Sequence, residues 1–264
     1  MVELPRNPHE TAAHGFQAQA DSYDLARPRY PVEAINFIVA LVHSGAKIAD
    51  VGAGTGIMTT FLYEAGLDVS AIEPVDNMRM KLQDQLPTVH AIKATAWDTT
   101  LPDASQDAVI MAQAFHWFDD LNTLKEAHRI LKPGGKLILI WNMESKQAKW
   151  VEALRSLYER YDEAAPQYRK GYWQQVFSEP TAAQLFRLPL THQNFAYDMP
   201  CNKALVMPRI VSKSYIAVLP KDEQDKLATQ VNAVLDNPSY GFTCDDQGNF
   251  IYPHDTDLYW CEKI

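Results

Sequence analysis

Between residues 31 and 142 the apolar positions follow two rhythms in turn. Short apolar runs stand at Lys47–Val51, Asp68–Ile72, Asp107–Ala112 and Lys136–Trp141, with a weaker one at Val89–Ile92. Each has the length and bounding turns of a buried strand. Between them the spacing changes to the three- and four-residue steps of a helix face. One helix is expected from Pro31 to a stop at Gly45, a second from Ile57 to Ala65 closed by Gly66, and a third from Asp76 to Leu86 capped by Asp76. Leu121, Leu124, Ala127, Ile130 and Leu131 define a fourth, and Lys132-Pro133-Gly134-Gly135 reads as a turn. Strand and helix in alternation imply a parallel sheet with crossover helices.

Beyond residue 142 the rhythm changes. Segments 145–162 and 220–236 read as polar-faced helices, and Cys201 to Leu219 as a helix that Pro208 breaks or kinks. Leu190–Ala196 and Phe250–Trp260 are the remaining strand candidates. There is no internal repeat and no low-complexity tract. The second half is expected to form a helical cap around the last two strands.

Composition narrows the class. The chain has 264 residues, 47% of them hydrophobic, which is enough for one sizeable domain. No stretch approaches the roughly 20 apolar residues of a membrane span, and the N-terminus lacks a signal or transit pattern. A cytoplasmic protein is expected. The net charge of −9 is spread along the chain, with no basic run for a nucleic-acid partner. Cys201, Cys244 and Cys261 fit no zinc or redox spacing, and His9 and His14 make no ligand pair, so no metal site is expected.

The chemistry concentrates in Asp50-Val51-Gly52-Ala53-Gly54-Thr55-Gly56, which leaves a strand and opens a helix. Alternate glycines let a backbone turn sharply and approach a ligand closely. Seventeen residues after Gly56 stands Glu73, at the end of the next strand, where a carboxylate meets ribose hydroxyls in nucleotide-binding folds. Two rival readings exist. A dinucleotide site has the spacing G-x-G-x-x-G, but the third position here is Ile57. A plain glycine turn leaves Glu73 unexplained. The G-x-G-x-G spacing, with Asp50 before it, suits S-adenosylmethionine, whose cationic amino-acid end sits near a carboxylate.

These residues also resemble a known family. Phe16, Tyr23 and Arg27-Pro28-Arg29-Tyr30-Pro31, the glycine loop, Ala71 to Met78, and Leu101-Pro102-Asp103-Ala104-Ser105 running on through Gln113-Ala114-Phe115-His116-Trp117-Phe118 are similar to the class I, seven-stranded S-adenosylmethionine-dependent methyltransferases. Within them the chain most resembles the bacterial and fungal trans-aconitate methyltransferase-like branch. The likeness is strongest from Phe16 to about Trp150.

The resemblance implies an α/β, Rossmann-like, doubly wound and mostly parallel seven-stranded sheet with helices on both faces and a helical cap. It implies a single domain, with residues 1–30 as a lid, 31–142 as the cofactor-binding half and 143–264 as the substrate-side cap. Asp50, Gly52, Gly54 and Gly56 would hold the methionine part of the cofactor, and Glu73 the ribose. Pro74, Met78, Ala96 and Trp97 would flank the adenine; many relatives carry an acid where Trp97 stands. Tyr23, Arg27 and Tyr30 would close over the cofactor, and Gln113 would meet its methionine end. Phe115, His116 and Trp117 would face the acceptor, with His116 as a candidate base. The expected partner is a small molecule with an oxygen, nitrogen, sulfur or carbon nucleophile, methylated by in-line displacement. A cyclase or rearrangement enzyme of the same fold, and a non-catalytic cofactor-binding regulator, are the alternatives.

Overall fold

The computed structural model describes residues 28–163 and 165–264. Seven strands form one sheet: β1 (Lys47–Val51), β2 (Asp68–Ile72), β3 (His90–Ile92), β4 (Gln106–Ala112), β5 (Leu131–Glu144), β6 (Thr191–Asn202) and β7 (Asn249–Glu262), in the order β3-β2-β1-β4-β5-β7-β6. Pairing is parallel from β3 to β5, while β7 runs antiparallel to both of its neighbours. The sheet is therefore the Rossmann-like, mostly parallel, seven-stranded one expected.

Side chains alternate across the central strands, and both faces are buried, as a covered parallel sheet requires. Ala108 and Ile110 of β4 point into one core, with Ile38, Ile48, Leu62, Ile138 and Leu258. Val109 and Met111 point into the other, with Val51, Ile72, Leu124, Leu139 and Trp141. The crossover helices supply the covering faces: α1 (Val32–Ala40), α2 (Ile57–Glu64), α3 (Asp76–Gln85) and α4 (Leu121–Ile130). The start of α4 is fixed by Asp120, whose carboxylate accepts from the amides of Asn122 and Thr123 at 2.9 Å each. Asp76 does not cap α3 as expected. It lies inside the first turn, and its carboxylate is taken up by Arg79 and Lys93. Lys132-Pro133-Gly134-Gly135 lies within the span of β5, where the pairing with β4 shifts register.

Past residue 144 the helices are α5 (Lys149–Tyr158), α6 (Pro180–Leu185), α7 (Val206–Val211), α8 (Ser214–Ala217) and α9 (Lys221–Leu235). The expectation of a helix from Cys201 fails, because β6 runs on to Asn202. Beyond the end of β5 the β6–β7 ribbon continues alone, pairing Met199 with Tyr252 and Cys201 with Phe250. Those side chains give α5, α7, α8 and α9 a surface to pack on. Pro208 produces no kink, since it sits in the first turn of α7, where its missing N–H is tolerated.

A buried polar network fastens this layer to the sheet. His254 of β7 accepts from Arg209 at Nε2 and donates from Nδ1 to the carbonyl of Tyr252. Burial, and then the Arg209 charge, push its pKa down from 6.5 to about 3. Burial opposes ionisation of Glu144, but Lys213 and Arg209 hold its carboxyl well below the ordinary range. A depressed folded pKa gives stability that is present above the unfolded value and lost as pH falls. The His254 contribution is thus expected to disappear from about pH 6.5 downward, and it amounts to about 3–5 kcal/mol when complete. Thermal melting between pH 7 and 4 checks this: His254→Gln should flatten the decline, and an unchanged decline would refute the assignment.

Candidate functional site

The strand order reverses about β1, which leaves a crevice at the carboxyl ends of β1, β2 and β4, where α/β sheets bind ligands. The loop after β1 is tied to the end of β2, with the amides of Gly52 and Ala53 donating to the carbonyl of Ile72 at 2.9 and 3.1 Å. The result is an open cleft of about 1110 Å³, its mouth included. Tyr30, Gly52, Gly54, Glu73, Pro74, Met78, Ala96, Trp97, Gln113 and Trp117, all named from sequence, line it together. Tyr23 and Arg27 lie outside the described residues.

Glu73 is the most constrained of these. It is 5% exposed, and its two oxygens accept from the amides of Gly54 and Val75 at 2.8 Å each. Burial pushes its pKa up from 4.5 to about 7, against the pull of those two hydrogen bonds and of Arg79. An ionised carboxylate has about four lone-pair sites, so two remain for hydroxyl donors. Trp97 presents its ring to the cleft while its indole N–H donates to Asp120 at 3.0 Å. Phe118 stands edge-on to it at 6.4 Å. With Met78, these rings line an apolar part of the cleft that suits a heteroaromatic base.

Four sequence-named residues fall elsewhere. Asp50 lies fully buried beneath the loop rather than on the cleft wall. Its Oδ2 accepts from the Thr59 hydroxyl at 2.6 Å, Oδ1 has no hydrogen-bond partner, and burial pushes its pKa up to about 6. Gly56 faces Leu82 of α3, not the cleft, and starts α2 in a left-handed conformation. Phe115 is wholly buried among Phe118, Trp173 and Phe177. His116 borders a different cavity.

That second cavity measures about 630 Å³, its open mouth included, and shares Gln113 and Trp117 with the cleft. Gln113 holds φ at +58°, a rare conformation for a side-chain-bearing residue, and its side-chain Nε2 donates to the carbonyl of Asn142 at 3.0 Å. Strain of this kind clusters at functional sites. Asn142 in turn donates to the carbonyl of Arg29 at 3.1 Å, which fixes the segment leading to Tyr30. The far wall comes from the cap: Tyr158, Glu159, Tyr168, Arg169, Lys213 and Tyr215. The Tyr158 hydroxyl is buried without a hydrogen-bond partner. On this wall stand two cations, Arg169 and Lys213, and one carboxylate, Glu159; Arg169 is ion-paired with Glu159 and Asp162, Lys213 with Glu144, and the Tyr168 hydroxyl donates to Asp257. His254, held neutral, adds no charge.

Sequence reasoning missed Asn142 and Lys213, and passed over Val75 and Phe118. Phe118 had a signal in the stretch after β4. Asn142 and Lys213 had none, because their partners lie far away in sequence. Among the described residues no group of His, Cys, Asp or Glu could hold a metal ion, and no helix is long and apolar enough to cross a membrane.

The family model described as a methyltransferase domain matches residues 49–139. An uncharacterized methyltransferase of Mycobacterium tuberculosis is 42% identical over 139 residues, which are 53% of this chain and 56% of that protein. The chain thus spans a little over half the length of this mycobacterial relative. An uncharacterized methyltransferase-like protein of Schizosaccharomyces pombe is 28% identical over 222 residues, covering 83% of this chain and 85% of that one. Among solved structures, a candidate type II methyltransferase from Anaeromyxobacter dehalogenans superimposes with a TM-score of 0.60 at 19% identity, covering 90% of this chain and 96% of that one. The last likeness concerns the fold. Residues 49–139 thus match a methyltransferase domain.

Proposed function

We propose that the chain is a cytoplasmic enzyme that transfers the methyl group of S-adenosylmethionine to a small anionic molecule seated in the second cavity. The observation that carries this reading is the meeting of two cavities of opposite character at Gln113 and Trp117. Glu73 on the cleft wall and Asp50 beneath the loop are buried carboxylates, both with pKa raised by burial, and Asp50 adds to the cost of the Glu73 charge. Such a wall favours a cationic ligand, and S-adenosylmethionine is a sulfonium. The wall of the second cavity carries two cations, Arg169 and Lys213, to one carboxylate, Glu159, which favours an anion.

When bound, the cofactor supplies a methyl group already activated by its sulfonium. The protein's task is alignment, and positioning alone removes on the order of 7–11 kcal/mol of barrier in good cases. Glu73 would hold the ribose, and Trp97, Met78 and Pro74 the adenine. Gln113, fixed by Asn142, would stand where the two ligands meet. Cap residues Tyr158, Arg169 and Lys213 would hold the acceptor. Transfer between a cation and an anion also removes both charges, which weakens the electrostatic hold on the products. The finer assignment, to the trans-aconitate methyltransferase-like branch with a carboxylate as acceptor, is supported by the same surplus of cations.

The test is a panel of small carboxylic acids and amines, read by formation of S-adenosylhomocysteine. Turnover is expected with acids. Lys213→Met should raise KM for an accepted acid about 10- to 100-fold, the range for a lost charged hydrogen bond, with cofactor affinity unchanged. Turnover of amines but not acids would overturn the anionic reading.

A further inference from the structure

His116 is the one imidazole on the wall of the second cavity, and it does not stand alone. The indole N–H of Trp141 donates to its Nδ1 at 3.1 Å, in a buried position. An indole nitrogen only donates, so Nδ1 must be an acceptor with no proton. In the neutral ring the proton is then on Nε2, and the lone pair that a base would use is the one already spent on Trp141. Trp141 itself has little freedom. It is fully buried on β5, stacked on Tyr168 at 4.4 Å and packed against Trp173 at 4.6 Å. On its other side the imidazole lies against Trp117 at 5.3 Å.

We propose that Trp141 is a positioning residue that fixes His116 as the Nε2–H tautomer, so that the imidazole cannot serve the methyl acceptor as a base. The inference rests on the reading of the second cavity as the acceptor site. It also constrains the acceptor: its nucleophilic atom must already be unprotonated at neutral pH, since the ring offers no lone pair to take a proton. Carboxylates meet this condition. Alcohols and ammonium groups do not. On the same wall Lys213, Arg169 and the Tyr158 hydroxyl are donors, while the carboxylate of Glu159 is held by Arg155 and Arg169.

Nitrogen-15 NMR of the protein loaded with S-adenosylhomocysteine reads the tautomer directly. The expected spectrum has an unprotonated Nδ1 and a protonated Nε2 for His116 at pH 7. Trp141→Phe should convert it to a tautomer mixture, with circular dichroism verifying the fold. Should that variant not fold, the wild-type spectrum decides alone. Benzoate serves as an anionic aromatic probe, with benzylamine as its cationic counterpart. Benzoate up to about 10 mM, enough to saturate a site of roughly 1 mM dissociation constant, should shift the Nε2–H resonance, and benzylamine should not. An Nδ1–H tautomer, a doubly protonated ring at pH 7, or no saturable benzoate shift at His116 would each overturn the proposal. Failure of S-adenosylhomocysteine to bind would instead refute the underlying functional reading, while the tautomer could still be read in the free protein.

Discussion

Replacing Glu73 by glutamine is expected to weaken S-adenosylmethionine binding about 100-fold and to remove its pH dependence. Both effects follow from one buried carboxylate. Two hydroxyls donated to an ionised acceptor contribute about 1.5–3 kcal/mol each, and losing a total near 3 kcal/mol is a factor of about 100. Glutamine can still accept from one of the amides of Gly54 and Val75, which keeps the loop in place. In the wild type, burial has pushed the Glu73 pKa to about 7, so the empty site is half protonated at neutral pH. Binding to the ionised form must therefore weaken about tenfold for each pH unit below 7. Calorimetric titration between pH 5.5 and 8.5 measures both. An affinity in the variant equal to wild type, or a flat wild-type profile, would remove the ribose assignment.

The same residue makes the site a weak point of the fold. A carboxyl whose folded pKa lies above its unfolded value contributes stability that is full below the unfolded pKa and lost as pH rises through the folded one. For Glu73 that window runs from 4.5 to about 7, and the loss reaches up to about 3 kcal/mol. Asp50 acts in the same direction between 3.8 and about 6. His254 and Glu144 in the cap act oppositely, favouring the fold as pH rises. The two halves of the site thus respond to acid in contrary senses. Ligand binding offsets the deficit in the cleft, because a ligand of the folded state stabilises by mass action.

How much of this could be read from the chain depends on how far apart the partners lie. The cofactor loop, Glu73 and the stretch from Gln113 to Phe118 are short segments at strand ends, and once β1, β2 and β4 are recognised the switch-point rule brings them together. The acceptor side has no such local rule. Lys213 reaches Glu144 across 69 positions, Arg209 reaches His254 across 45, and Asn142 reaches Arg29 across 113. Nothing in the residue types alone selects those pairs. The β6–β7 ribbon explains the misread at Cys201. Phe195, Tyr197, Met199 and Cys201 alternate with more exposed neighbours, a strand period that carries β6 past Ala196 to Asn202. Asp50 and Gly56 were misplaced for another reason. Both belong to the motif, yet one supports the loop from below and the other packs it on α3, and a spacing pattern does not separate support from contact.

That separation leads to the second large effect. Gly54→Ala and Gly56→Ala change neighbours in one motif by the same methyl group, yet opposite outcomes are expected. At Gly54, φ is +59° and an added Cβ meets only the Met78 sulfur, at 3.8 Å. The left-handed backbone costs about 1–2 kcal/mol with an alanine, and the fold should survive. The new methyl, however, stands in the cleft, so cofactor affinity should drop at least tenfold. At Gly56, φ is +93° and the added Cβ would stand 2.8 Å from Cγ of Leu82, which is fully buried in α3. Overlap of that kind adds about 1–3 kcal/mol to the backbone term, and a total of about 2–5 kcal/mol is a large share of a stability margin of about 5–15 kcal/mol. Gly56→Ala should therefore lower the melting temperature sharply, while whatever folded protein remains binds the cofactor close to normally. Thermal melts with and without S-adenosylhomocysteine, paired with calorimetry on the folded fraction, separate the two. A stable Gly56→Ala protein with lost affinity would return Gly56 to the binding surface. A destabilised Gly54→Ala protein with intact affinity would show that the loop's centre serves the fold rather than the ligand.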